Sequence, residues 1–464
     1  MPTPVFRLSI LLVSVFQIIF AAASHWTVEF LPGFPGRLPF ELETGYVGVG
    51  DLEEVQLFYY FVKSEGNPKT DPLLFWLTGG PGCSALTALA FEVGPINFKI
   101  EEYNGSLPQI ILNPYSWTKK SSILFVDLPV GTGFSYGTTP QSLKKGDFSQ
   151  VHHSIQFFKK WLIRHPEFLS NPFYVGGDSY SGILIPVIAQ KILEENEHAP
   201  YINLQGYILG NPVTIRTTYR NFAIPFAHRM TLISDELFES LVSSCKGEYV
   251  NIDPSNVDCL RHYNTYQQCI SKVQKANILL PKCSFHSPKR QEDAIFERRS
   301  LYNTPKVLLD PEPSIPSIDC PTYKFLLSSY WMNDDQVRKA LHVREGSVGE
   351  WTRCSDKQDY NYDIENVFPY HVNLSSKGYR SLIYSGDHDM VVPHLDTQAW
   401  IKSLNYSIVE DWRPWFIANQ VAGYTRSYAN NMTFATIKGG GHTAEYTLKE
   451  CSVVFSRWIA REPL

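Results

Sequence analysis

Short apolar runs, each closed by glycine or proline, punctuate the chain at 55–62, 73–77, 123–126 and 173–175. Their β-branched and aromatic content predicts strands. Between the last two, Val151, Ile155, Phe158 and Leu162 recur at intervals of three and four, predicting a helix over 148–164 with one apolar face. A second helix is expected over 183–195, further strands at 204–209, 381–385 and 434–437, and a closing helix over 449–459. Strands alternating with helices predict an α/β fold, its mostly parallel mixed sheet flanked by helices and drawn from both ends of the chain.

The pattern loosens at about 225–330, where proline, cysteine and charge become frequent. This reads as a cap inserted into a single domain spanning 24–464. Within it, 284–300 carries Lys289, Arg290, Glu292, Asp293, Glu297, Arg298 and Arg299, and 305–321 holds five prolines in seventeen positions. Such composition predicts an exposed linker at about 284–319, open to proteolytic processing.

Residues 1–23 pair Arg7 with an apolar run over 8–20 and end on Ala21, Ala22 and Ala23, a signal-peptide pattern with cleavage expected after Ala23. The run is too short to span a bilayer, which takes about 20 residues. A secretory-pathway protein is expected, vacuolar or extracellular, with no membrane association once the segment is removed. A net charge of −5 and a pI near 6.2 supply no basic field for nucleic acid. Eight cysteines show no paired C-x-x-C spacing, so disulfides are expected and metal ligation is not. Asn104, Asn373, Asn405 and Asn431 each open a glycosylation sequon.

The local signal with most chemistry is Gly176-Gly177-Asp178-Ser179-Tyr180-Ser181-Gly182, between an expected strand and an expected helix. It reads as a nucleophile elbow of the G-x-S-x-G type, in which close backbone approach demands glycine near the serine. A serine hydroxyl needs a base and the base an orienting acid, supplied in such folds in the chain order Ser, Asp/Glu, His. Asp387 and Asp389 follow one strand, and His442 follows three glycines after another. His388 is the competing histidine. The residues alone leave Asp387 and Asp389 open as the acid.

Taken together, WLTGGPGCS at 76–84, FEVGP at 91–95, GTGFSY at 131–136, GGDSYSG at 176–182, YSGDHDMVVP at 384–393 and GGGHT at 439–443 resemble the serine carboxypeptidase family of α/β-hydrolases. The resemblance implies Asp389 as the acid beside Ser179 and His442, and an oxyanion hole from the backbone N–H groups of Gly80 and Tyr180. It also implies disulfides Cys83–Cys354, Cys245–Cys259 and Cys283–Cys320, leaving Cys269 and Cys451 over. In the family's peptidases an Asn and two Glu bind the substrate's terminal carboxylate. The corresponding positions here are Thr78, Asp178 and Glu92, beside Gly79, and the two carboxyls are expected to share a proton at acidic pH.

Thr78, Asp178 and Ser181, with FELETGYVGVG at 40–50, are similar to the plant branch of the family that moves acyl groups from glucose esters. The expectation is therefore an acyltransferase working through a Ser179 acyl-enzyme. Its partners would be a 1-O-β-glucose ester and a small-molecule acceptor, and no cofactor is implied. The alternative is a serine carboxypeptidase releasing C-terminal amino acids. One departure concerns the loop after His442, Thr443-Ala444-Glu445-Tyr446, where relatives carry a proline after the alanine and one residue more. An imidazole displaced by it would leave an inactive relative.

Overall fold

The computed structural model describes residues 25–196, 200–283, 316–355 and 359–464. The expected signal peptide and most of the expected linker, 284–315, lie outside the described residues.

Eleven strands build the main sheet: β1 His25–Val28, β2 Leu42–Val49, β3 Val55–Val62, β4 Leu73–Leu77, β5 Ser122–Val126, β6 Phe173–Asp178, β7 Leu204–Gly210, β8 Arg380–Gly386, β9 Ile408–Ile417, β10 Gln420–Tyr428 and β11 Met432–Ile437. A two-residue strand, Tyr136–Gly137, pairs with the start of β3. Across the sheet the order is β1-β2-β3-β5-β4-β6-β7-β8-β11-β10-β9. The six strands from β5 to β11 run parallel, and those on both flanks are antiparallel. This is the mixed sheet of an α/β-hydrolase.

The strands alternate between two cores because successive side chains point to opposite faces. In β3, Phe58 and Tyr60 enter one core, while Leu57, Tyr59 and Phe61 enter the other. In β4, Trp76 parts from Phe75 and Leu77 in the same way. The second core is covered by helices α1 Asp147–Arg164 and α2 Ser181–Glu195, through residues that include Val151, Ile155, Phe158, Leu162 and Ile183.

Helices α3 Ala223–Arg229, α4 Asp235–Cys245 and α5 Val257–Ile270 form a cap with its own cluster of Ile224, Phe226, Leu241, Tyr266 and Ile270. The Cys245–Cys259 disulfide staples α4 to α5. Helix α6, Tyr323–Met332, buries Phe325, Leu326, Leu327 and Trp331 in the sheet's first core. The closing helix Leu448–Ile459 covers the same face through Phe455 and Trp458.

Two more disulfides, Cys83–Cys354 and Cys283–Cys320, join distant segments. Closing the first, across 271 positions, contributes on the order of 5–6 kcal/mol by the loop-entropy argument. Cys269 is free and exposed, and Cys451 is free and buried. Among the sequon asparagines, Asn104, Asn405 and Asn431 are exposed, whereas Asn373 is half-buried with its amide on Gln190. No helix among the described residues is long and apolar enough to cross a membrane.

Strands β9 and β10 went unpredicted for a visible reason. Strand β9 exposes Glu410 and Asp411 and contains Pro414, so no apolar alternation marks it. It is held by Trp415, wholly buried and donating to the Thr436 carbonyl, and by a two-residue turn at Ala418 and Asn419, both with positive φ.

Asp396, in the first turn of the helix His394–Ser403, is 4% exposed, and its Oδ2 has no partner among the described residues. Burial pushes its carboxyl up to about 7. An acid whose folded-state pKa is raised loses stability as pH climbs from its ordinary value of 3.8 through 7. Asp396→Asn should therefore gain on the parent between pH 5 and pH 8, by on the order of 2–4 kcal/mol. Thermal melts at the two pH values check this, and a pH-independent difference would contradict it.

Candidate active site

Ser179 stands between the end of β6 and the start of α2 with φ at +55°, a left-handed conformation costly to a non-glycine residue. Two backbone bonds over-determine it. Its N–H donates to the Gly210 carbonyl at 2.9 Å, and its carbonyl accepts from Val213 N–H at 3.0 Å. The glycines around it are sterically required. A Cβ on Gly177 would fall 2.5 Å from the Leu77 carbonyl oxygen, and one on Gly182 2.4 Å from that of Val213. The expected G-x-S-x-G spacing is nevertheless not met. Position +2 is Ser181, whose hydroxyl donates to the Leu77 carbonyl, and the glycine comes one residue later.

His442 Nε2 lies 2.7 Å from Ser179 Oγ, and its Nδ1 lies 2.7 Å from Asp389 Oδ2. Asp389 is fully buried and also accepts from Asn211 Nδ2, Val391 N–H and Val392 N–H. Asp387 instead accepts from Gly439 N–H and bonds His388, so neither Asp387 nor His388 reaches the serine–histidine pair. Burial works against a charged His442, but the Asp389 carboxylate outweighs it, helped by Asp178 and Glu445, and raises the imidazole above its ordinary 6.5. The departure after His442 has not displaced the ring. Glu445 in that loop pairs with Lys324 of α6 at 2.9 Å.

The Gly79–Gly80 turn packs directly on the elbow: a Cβ on Gly79 would lie 2.6 Å from Ser179 Cβ and 3.1 Å from Tyr180 N. This brings the segment carrying the Gly80 amide beside the N-terminal end of α2, where Tyr180 N–H lies. The turn is pinned by Cys83–Cys354 and by backbone bonds from Ser84 to Arg353 and from Ser355 to Gly82. Tyr180 is anchored through its hydroxyl, which donates to the buried Asp147 at 2.9 Å.

Thr78, Asp178 and Glu92 converge beneath this turn, all three largely buried. Asp178 Oδ1 accepts from Gly79 N–H at 2.9 Å. Asp178 and Glu92 are electrostatic neighbours, the Asp178 carboxyl acting directly on that of Glu92. Thr78 Oγ1 and both Glu92 oxygens have no partner among the described residues. Burial raises both carboxyls, Asp178 to about 6, and Glu92 further with Asp178 and Glu445 as repelling neighbours.

Sequence reading missed Asn211 and the segment around Ala276. Asn211 donates to Asp389 and accepts from Gly386 N–H, with φ at +43°. Its position between Gly210 and Pro212 at a strand end was the available signal. The 275–278 segment laces the two loops together: the Ala276 carbonyl accepts from His442 N–H, and the Lys275 carbonyl from Met390 N–H.

A serine on a strained strand-to-helix turn, bonded to a histidine that is bonded to a buried aspartate, at the ends of parallel strands, defines an α/β-hydrolase arrangement. It can generate a serine nucleophile and pass a proton to a leaving group. The sequence pattern of the serine carboxypeptidases matches residues 32–461, and the chain belongs to that family. It is 54% identical to serine carboxypeptidase-like 1 of Arabidopsis thaliana over 94% of this chain and 93% of that one. It is 53% identical to serine carboxypeptidase-like 13 of the same plant, over 98% of each. Among solved structures it resembles KEX1ΔP, a prohormone-processing carboxypeptidase from Saccharomyces cerevisiae, with a TM-score of 0.71, 18% identity, and 94% and 95% of the two chains covered. That likeness is one of fold.

Proposed function

We propose that this enzyme is an acyltransferase that moves an acyl group from a 1-O-β-glucose ester to an acceptor hydroxyl or amine. Ser179 Oγ attacks the ester carbonyl while His442 Nε2 takes its proton, and Asp389 holds the imidazole and balances its charge. The tetrahedral oxyanion sits on the Gly80 and Tyr180 amides. Its collapse breaks the bond to glucose, whose O1 takes the proton from His442. The acceptor then loses its proton to His442 and attacks the acyl-enzyme, releasing the ester or amide and restoring Ser179.

The observation that carries this reading is the state of the Thr78, Asp178 and Glu92 corner. Recognition of a peptide end needs donors turned toward its carboxylate. Here Asp178 Oδ1 accepts from Gly79 N–H, a carboxyl one methylene shorter stands in place of a Glu, and Thr78 replaces an amide donor. A terminal carboxylate placed there would lack part of its bonding, at a cost of about 1–3 kcal/mol. None of these groups is needed for the acyl-enzyme itself.

With several glucose esters and hydroxylated acceptors, mass-resolved products should show transfer outrunning release of free acid. Peptides should yield little C-terminal amino acid. Peptide trimming without transfer from any ester would favour the carboxypeptidase reading. A secreted or vacuolar location is proposed on the same footing, supported by the disulfides.

A further inference from the structure

At the opposite end of the sheet from the hairpin β9–β10, three metal-ligating side chains meet: His25 of β1, Glu43 of β2, and His165 just past α1. Their ligand atoms all lie within 4.8 Å of one another. Strand pairing puts them together. Glu43 pairs with Thr27, two residues from His25, so both side chains fall on one face of the sheet. His165 is stacked on Trp161 at 4.0 Å, which fixes its ring plane.

The hydrogen bonds around His165 leave a gap in the account. Its Nδ1 lies 2.9 Å from the Trp161 carbonyl, which only accepts, so Nδ1 carries the proton. Its Nε2 then faces both Glu43 oxygens, at 3.0 and 3.2 Å. A lone pair against a carboxylate repels unless a cation intervenes, either a second proton or a metal ion. A proton serves His165 and Glu43 but does nothing for His25, whose Nδ1 is buried with no partner among the described residues. A metal ion serves all three. A metal-bound imidazole whose other nitrogen donates to a backbone carbonyl is also the usual outer-shell arrangement.

We propose that His25, Glu43 and His165 form a divalent transition-metal site, selective for Zn²⁺, that staples the first strand to the sheet and to α1. Two imidazoles and one carboxylate suit zinc, whose tetrahedral ligand atoms sit about 3.3 Å apart, with water as the fourth ligand. His165 Nε2 and Glu43 Oε1, 3.0 Å apart, need little movement. The site lies four to five strand spacings from β6, about 19–24 Å, and takes no part in the chemistry at Ser179. Its consequence is stability, because an ion that binds only the folded chain raises the melting temperature with its concentration.

The test is calorimetric titration of ZnCl₂ into the EDTA-dialysed enzyme, with Co²⁺ absorption as a report on geometry. One equivalent should bind, the Co²⁺ complex should show tetrahedral visible bands, and Tm should rise with the logarithm of free zinc. His25→Ala and Glu43→Gln should each lose at least tenfold in affinity, while ester turnover and circular dichroism match the parent and certify the fold. His152→Ala, at an exposed histidine of α1, should bind as the parent does. Absence of binding to the parent, or binding that survives both ligand substitutions, overturns the site and leaves the proton as the shared cation. If one ligand variant fails to fold, the other with the Co²⁺ spectrum of the parent decides. Because EDTA should leave turnover unchanged, this outcome is independent of the acyltransfer reading.

Discussion

Ser179→Ala should cut turnover of any ester substrate by on the order of 10⁴-fold or more and abolish labelling by a fluorophosphonate, with the fold retained. The hydroxyl it removes is the group bonded to His442 Nε2 at 2.7 Å, and the substitution touches none of the backbone bonds that hold the elbow. Alanine inherits the positive φ of residue 179, so the backbone strain remains and the melting temperature should move by only a few degrees. Residual rate would come from the oxyanion amides and from binding alone. Near-parental turnover in a correctly folded Ser179→Ala protein would remove the acyl-enzyme mechanism, and with it the proposed transfer reaction.

The second large effect distinguishes two aspartates two residues apart. Asp389→Asn should lower turnover by about 10³–10⁴-fold, whereas Asp387→Asn should stay within about tenfold of the parent. Asp389 receives four donors, from His442, Asn211, Val391 and Val392, so an amide nitrogen must confront at least one of them whichever way it turns. It also withdraws the negative charge that balances the imidazolium. Among the described residues the Asp387 carboxylate bonds His388 and Gly439 N–H, and it is about one-third exposed. The pH profile adds a readout that a general loss of structure would not produce. His442 must be neutral to act as base, so kcat/KM should fall as pH drops through a value above 6.5. In Asp389→Asn burial is no longer outweighed, and that limb should move to lower pH. Equal losses in both variants, with an unmoved limb, would reassign the acid.

Much of the scaffold was legible as periodicity, because burial on both faces of the sheet imposes continuous apolar runs and burial of one helix face imposes a three-to-four spacing. Strands β3 to β8 and helices α1 and α2 carry those marks within a residue or two, apart from β6, which runs three residues further into the elbow. Strands β1, β2, β9 and β10 do not. β2 carries glycine in its interior, β1 is four residues long, and β9 turns charge to solvent, so neither composition nor alternation reports them. Contact of α6 with Phe91 and the first sheet face joins segments far apart in the chain, so no local pattern reports it.

The same division runs through the site. The residue types for a nucleophile, a base and an oxyanion turn were present as local motifs, since a strained turn and a glycine-lined loop constrain their own neighbours. Which aspartate meets His442 was not local: Asp387 and Asp389 differ only in where the chain turns after β8, and the bonds from Asn211 and the 390–392 backbone select the second. The bond from Gly79 N–H to Asp178 was likewise decided in three dimensions, by the packing of the Gly79–Gly80 turn on the elbow. The cluster of His25, Glu43 and His165 left no mark in spacing at all, because one strand pairing and one helix end, 122 positions apart in the case of Glu43 and His165, bring it together. Short-range sterics and burial are written along the chain, while electrostatic partners are chosen only once packing has brought distant segments within hydrogen-bonding reach.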